Sequence, residues 1–305
     1  MDQKRIIDEF KELVSIEVHS RDERAIADVL KEKLTALGLT VTEDKAGEVL
    51  GGNTGNLYAQ LPGSTDGEPV LFSAHMDRVG NHGHIVPLVK EEEGKIVSDG
   101  TSILAGDDIG GVAAILAMLR EVKEKQIPHG PIEVAFSVCE ETGVEGSRQY
   151  DFSKFRSKSA FVYDASGKAG TIVLAAPSKG RVTIRVHGVT AHAGNEPEKG
   201  LNALKVAADL IMQLPDGRLS PVSTANFSII EAGSATNVVC DLVTITGEQR
   251  SRDAKEYQQI SADIQAAADR ISEKYHTKIE VELHTLYHAF KLEETARPCV
   301  LAKEA

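Results

Sequence analysis

The stretch LFSAHMDRVG, residues 71–80, is where this chain departs from generic protein. Leu71, Phe72 and Ser73 read as a short buried strand, and His75 and Asp77 follow at its end. On an extended chain, side chains at i and i+2 point to the same side, so the two polar groups share one spot. A metal-binding imidazole usually has its far nitrogen oriented by a carboxylate, and Asp77 is placed to do that. Taken alone, the pair is also what an ordinary polar strand end looks like. Its meaning depends on the rest of the chain.

The same pattern recurs through the first half. IEVAFSVCEE (132–141) is an apolar strand running into Glu140 and Glu141, and AFVYDAS (160–166) runs into Asp164. Asp107 and Asp108 sit in a Gly-containing turn just ahead of the amphipathic helix GVAAILAMLREVKEK (111–125). An N-cap is the local alternative for both aspartates, and for Asp108 it is the expected role. Helical apolar spacing marks 4–17 and 22–37, the second capped by Ser20 or Asp22. Short strands follow in LTVTED and GNLYAQL, and VKEEEGKIVSD reads as a hairpin. Strands alternating with helices predict an α/β layer architecture with ligands beyond the carboxyl ends of the strands. One His among several carboxylates suits Zn, Mn or Co, and a cation relieves the repulsion of crowded acids. Adjacent glutamates can divide the work, one binding metal and the other holding a proton.

From about Pro177 the pattern changes to RVTIRVHGV, a helix near 200–213, FSIIEAG, NVVCDLVTITGEQR, a helix near 253–275 and KIEVELHTL. This β-α-β-β-α-β order predicts a ferredoxin-like α+β domain over 179–287, inserted into a first domain of 1–178 and 288–305. His192 lies in a Gly-flanked loop, where a surface role is the ordinary one. Asn237 and Arg250 have equally plain alternatives, a turn and a solvated strand end. His82, His84 and His129 read as loop residues.

Composition bounds the function classes. The 305 residues are 41% hydrophobic and 26% charged, as in a soluble globular protein. A net charge of −12 argues against nucleic acid and anionic membranes as partners. No run reaches the roughly 20 apolar residues of a membrane span, and the first residues lack a signal-peptide apolar core. Cys139, Cys240 and Cys299 are odd in number and far apart, which predicts reduced packing thiols and a cytoplasmic protein.

The ordered set AHMD (74–77), GDD (106–108), CEETG (139–143), YDAS (163–166) and AHAG (191–194) resembles the dinuclear-zinc peptidases of the aminoacylase, glutamate carboxypeptidase and tripeptidase group, and most of all their peptidase T-like members. The resemblance covers essentially the whole chain. It implies a zinc-peptidase domain with a mixed central sheet plus an inserted dimerisation or lid domain. It implies two divalent ions, with His75, Asp107 and Asp164 on one, Asp107 bridging, and Glu141 on the other. Asp77 would orient His75, and Glu140 would be the general base. His192 would serve the active site of a partner subunit in a homodimer, while Asn237 and Arg250 would bind substrate. The expected activity is amide hydrolysis of a short peptide. N-acyl amino acid hydrolysis is the alternative within the group, and an inactive metal-binding fragment the alternative outside it. The resemblance also implies a late His for the second metal, and no His follows His288, so a truncated chain with an incomplete second site is expected. Arg78 and Ile109 stand where the family often has Thr and Lys, so the resemblance does not extend to fine substrate preference.

Overall fold

The computed structural model describes residues 2–80 and 83–305; His82 lies outside the described residues. The first unit runs to Ile172 and resumes at Thr295–Ala305, and the second is Val173–Glu294.

In the first unit the elements are α1 (Gln3–Val14), α2 (Arg24–Ala36), β1 (Thr40–Glu43), α3 (Ala46–Leu50), β2 (Leu57–Leu61), β3 (Val70–His75), β4 (Pro87–Lys90), β5 (Lys95–Ser98), α4 (Gly106–Glu124), β6 (Ile132–Ser137) and β7 (Ser159–Val162). The sheet order is β1-β2-β6-β3-β7. β1, β2 and β6 pair antiparallel, whereas β3 runs parallel to both β6 and β7. β6 is buried on both faces, as a central strand covered on each side must be. The helices present apolar stripes at helical spacing: Phe10, Leu13 and Val14 from α1; Ile26, Leu30 and Leu34 from α2; Val112, Ile115, Leu116 and Leu119 from α4. They close one core with Leu57, Val134 and Phe136 of the sheet.

The parallel arrangement places the site. Because β3, β6 and β7 point the same way, their carboxyl ends share one edge, with His75 opposite Ser137 and Ser73 opposite Val162. The residues that follow each strand therefore emerge side by side.

The second unit contains β8 (Ala175–Ala176), β9 (Ser178–His187), α5 (Ala203–Ile211), β10 (Gly217–Ser220), β11 (Ser223–Ala232), β12 (Leu242–Ser251), α6 (Ala254–Tyr275), β13 (Ile279–Tyr287) and β14 (Phe290–Lys291); α7 (Arg297–Glu304) follows in the first unit. Its antiparallel sheet has the order β10-β11-β12-β9-β13. β9, β11, β12 and β13 with α5 and α6 form the ferredoxin-like pattern, and β10 is an edge strand beyond it. Val182, Ile184 and Val186 alternate inward from β9 and pack on Val206 and Leu210 of α5 and Ile264 and Ile271 of α6.

Three local expectations are corrected. α1 ends at Val14, short of residue 17, and α3 is a helical turn between two strands read as near neighbours. α2 begins at Arg24, and neither Ser20 nor Asp22 caps it. The Ser20 hydroxyl is drawn away to Asp77. The three cysteines are free and buried, as packing thiols should be.

Candidate metal centre

His75 is the last residue of β3 and is 2% exposed. Its Nδ1 lies 3.3 Å from Asp77 Oδ1 and 3.0 Å from the Asp77 carbonyl oxygen, while Nε2 lies 2.9 Å from Asp107 Oδ1. One ring nitrogen is thus held by Asp77, leaving the other for the cluster. Asp77 is itself fully buried. Its carboxylate accepts Ser20 Oγ at 2.7 Å, the Glu140 N–H at 2.9 Å and the Glu141 N–H at 3.1 Å. Burial works against its charge, but the bonds from His75, Ser20 and the Glu140 N–H outweigh it and hold its pKa below the usual carboxylate range.

Asp107 and Asp108 occupy the first turn of α4 with non-helical backbone. Asp108 is no N-cap. It is 2% exposed, and its Oδ2 accepts the backbone N–H of His75 at 3.1 Å, tying α4 to the end of β3. Gly111, one turn on, gives it room: a Cβ there would overlap the Asp108 carboxylate and sit 2.8 Å from the Cβ of Tyr163.

The donor atoms converge in two sets. Within each of His75–Asp107–Glu141 and His75–Glu140–Asp164, one ligand atom per residue lies within 4.8 Å of the others. His75, Asp107 and Asp164, grouped on one ion by the resemblance, do not fall into a single set of this kind among the described residues. The electrostatics fit a cation. Burial, with repulsion from neighbouring carboxylates, raises Glu140 and Asp164 and pushes Asp108 up to about 8 and Glu141 to about 7. Burial opposes the charge on His75, yet Asp77 and the surrounding acids raise it to about 10. A divalent ion bound among these half-buried and buried acids would favour their ionised forms. The imidazole-and-carboxylate donor set suits such an ion.

The second unit presents the other candidates. His192 is exposed, and its Nδ1 accepts the N–H of Gly194 at 3.2 Å and of Asn195 at 3.1 Å. Asn237 is a neighbour of this loop, its carbonyl accepting the Ala193 N–H at 3.0 Å. Arg250 forms a bidentate pair with Glu248, with Nε at 2.6 Å and the second nitrogen at 3.2 Å. The fork expected for a substrate carboxylate is thus engaged by a neighbouring glutamate.

Arg78 and Ile109 are packing residues. The Arg78 guanidinium is 1% exposed and donates to the carbonyls of Val18, Val14 and Gly83. Ile109 belongs to the apolar core. Ser20 and Glu23, which contact the residues around the cluster, were legible in the sequence only as helix-start residues.

Comparison with known proteins gives the family. A peptidase dimerisation domain model (M20_dimer) matches residues 177–276, and a model of peptidase family M28 matches residues 56–195. The chain is 36% identical over 305 residues to the uncharacterized protein YqjE of Bacillus subtilis, spanning all of this chain and 82% of that protein. It is 28% identical over 240 residues to peptidase T of Staphylococcus carnosus, of which it spans 57%. Among solved structures, the aminopeptidase PepT of Bacillus cereus superposes with a TM-score of 0.87 at 38% identity, and a tripeptidase of Staphylococcus aureus with 0.93 at 33%. Both matches cover all of this chain and 81% of the other. The chain therefore belongs to the M20 peptidase family, close to peptidase T, and is by kind a metal-dependent peptidase.

Proposed function

We propose that the protein hydrolyses the amide bond of short peptides, of the tripeptidase or aminopeptidase type, using divalent metal, most suitably zinc. The observation that carries this is the meeting of His75, Asp107, Glu140, Glu141 and Asp164 beyond three parallel strand ends. Bound there, divalent ions lower the pKa of a water and polarise the scissile carbonyl.

The chain's own groups do the rest. Asp77 fixes the ring of His75, and His75, Asp107, Glu141 and Asp164 hold the metal. Glu140 takes the proton of the attacking water on its carboxylate and passes it to the amide nitrogen that leaves. The buried setting that raises the Glu140 pKa suits a group that must both accept and return a proton. Asn237 and Arg250 bind the substrate, Arg250 exchanging Glu248 for a substrate carboxylate.

A homodimer through the second unit completes the proposal, with His192 donating to the developing oxyanion of the partner's site. The matched dimerisation model supports it. So does the outer edge of β11: its pairing with β10 stops at Ala225, and Ile229 and Ile230 beyond are 54% and 50% exposed. A cytoplasmic location fits three buried, unpaired cysteines, and no described helix is long and apolar enough to cross a membrane.

The test is Glu140→Ala, assayed on a tripeptide panel alongside the metal content of the protein. Turnover should vanish while bound metal stays near the wild-type level. Full activity in the variant would remove Glu140 from the role of base.

A further inference from the structure

Two distant loops of the first unit meet at one carboxylate. Glu23 is fully buried, and its Oε1 accepts the backbone N–H of Arg21 at 2.9 Å and that of Cys139 at 3.0 Å. The Cys139 thiol donates to the same oxygen at 3.6 Å. Arg21 and Cys139 are both left-handed non-glycine residues, with φ of 75° and 50°. Such a backbone persists only where its surroundings hold it. Here one oxygen receives the N–H groups of both. The other oxygen, Oε2, has no hydrogen-bond partner among the described residues.

Glu23 stands at the N-cap position of α2 yet makes no capping bond. The Arg24 N–H is instead taken by Asn53 Oδ1 at 3.0 Å. A buried carboxyl group is costly unless it is hydrogen-bonded, and these bonds come from Arg21 and from the turn that begins at Cys139. Three residues earlier, the Ser20 hydroxyl reaches Asp77 Oδ2, and that carboxylate receives the N–H groups of Glu140 and Glu141.

We infer that Glu23 is a positioning residue for the catalytic turn: with Ser20 it clamps residues 139–141, so that Glu140 is aimed from a fixed backbone. The clamp gives the α1–α2 connection a role beyond linking two helices. It rests on Glu140 being the base, as proposed above.

Substitution separates shape from charge. In Glu23→Gln the amide oxygen replaces Oε1 and keeps both N–H bonds, while the amide nitrogen takes the place of the unpartnered Oε2. Glu23→Ala removes the bonds altogether. Amide hydrogen exchange on the metal-free 305-residue protein reads the turn directly. In Glu23→Ala the amides of Cys139, Glu140 and Glu141 should exchange at least about tenfold faster while those of β6 keep their protection. Once metal is bound, kcat should fall by about 10- to 100-fold with KM within about threefold, the effect of misplacing a group without removing a substrate contact. Glu23→Gln should restore the protection and most of kcat.

If Glu23→Ala does not fold, Ser20→Ala carries the test, with faster exchange expected at Glu140 and Glu141. Unchanged protection at 139–141, loss spread equally over β6, or a Gln variant as damaged as the Ala variant each overturns the clamp. An active Glu140→Ala variant would instead overturn the base assignment, and the exchange data would still judge the clamp.

Discussion

The buried carboxylate of Asp77 receives the backbone N–H of Glu140 at 2.9 Å while its own residue also orients the ring of His75. One residue therefore fixes both the ring of His75 and the backbone from which Glu140 projects. His75 and Glu140 cannot drift independently, because both are held by Asp77.

Asp77→Asn tests this coupling. The amide keeps the shape but loses the charge, and its NH2 group would face the N–H of Glu140 or Glu141 or the ring of His75. Metal affinity should fall by about 10- to 100-fold, as for loss of a partner that orients a metal-bound histidine. Titration with Zn and calorimetry would measure it, with unchanged far-ultraviolet circular dichroism showing that the fold persists. Wild-type affinity would contradict the role of Asp77.

Gly111→Ala tests the support behind His75. The added methyl meets the Asp108 carboxylate, which holds the His75 N–H. Overpacking of this kind costs about 1–3 kcal/mol, and the variant should be less stable by that amount in urea unfolding. Weaker metal binding should accompany the loss, since Asp108 must move away from the end of β3.

A third prediction concerns acid stability away from the metal. Glu43 on β1 is bonded by Arg24, Lys31, Thr54 and the Gly55 N–H, and the Arg24 guanidinium holds its carboxyl well below the usual range despite partial burial. A depressed folded pKa gives stability that is fully present above the unfolded value of about 4.3 and is lost as pH falls toward the folded value. Glu43→Gln should cost roughly 1–2 kcal/mol at pH 7, since the pair is partly solvated. Thermal unfolding of the two proteins should converge as pH drops below about 4. A constant gap from pH 7 to pH 3 would show that the charge is not the source.

How much of this was legible in the chain follows from the range of each interaction. Apolar runs ending in His75, Glu140 and Asp164 identify strand ends because alternation and burial are local properties of sequence. The resemblance gives Arg250 as a grip for a substrate carboxylate, and its pairing with Glu248 depends on rotamers that sequence spacing does not fix. Read from neighbours alone, Ser20 and Asp108 are helix-cap residues, and Glu23 is simply a residue at the start of α2. The actual partners of Ser20, Glu23 and Asp108 are Asp77, Cys139 and His75, separated by 57, 116 and 33 residues.

By itself the sequence determined the α/β class, the ferredoxin-like second unit and the set of acids available to a metal, since each is written in periodicity and residue type. Only the tertiary structure decided which polar groups serve a helix and which serve the site. A buried carboxylate takes whichever N–H or hydroxyl the packed fold brings within about 3 Å. For Glu23 that donor is the N–H of Cys139, and what brings it there is the parallel course of β3 and β6, which sets the end of β6 beside His75 and Asp77. The strand that ends in His75 and the Asp77 beside it were readable from residues 71–80; the carboxylates of Asp108 and Glu23, which bond the backbone at the ends of β3 and β6, were not.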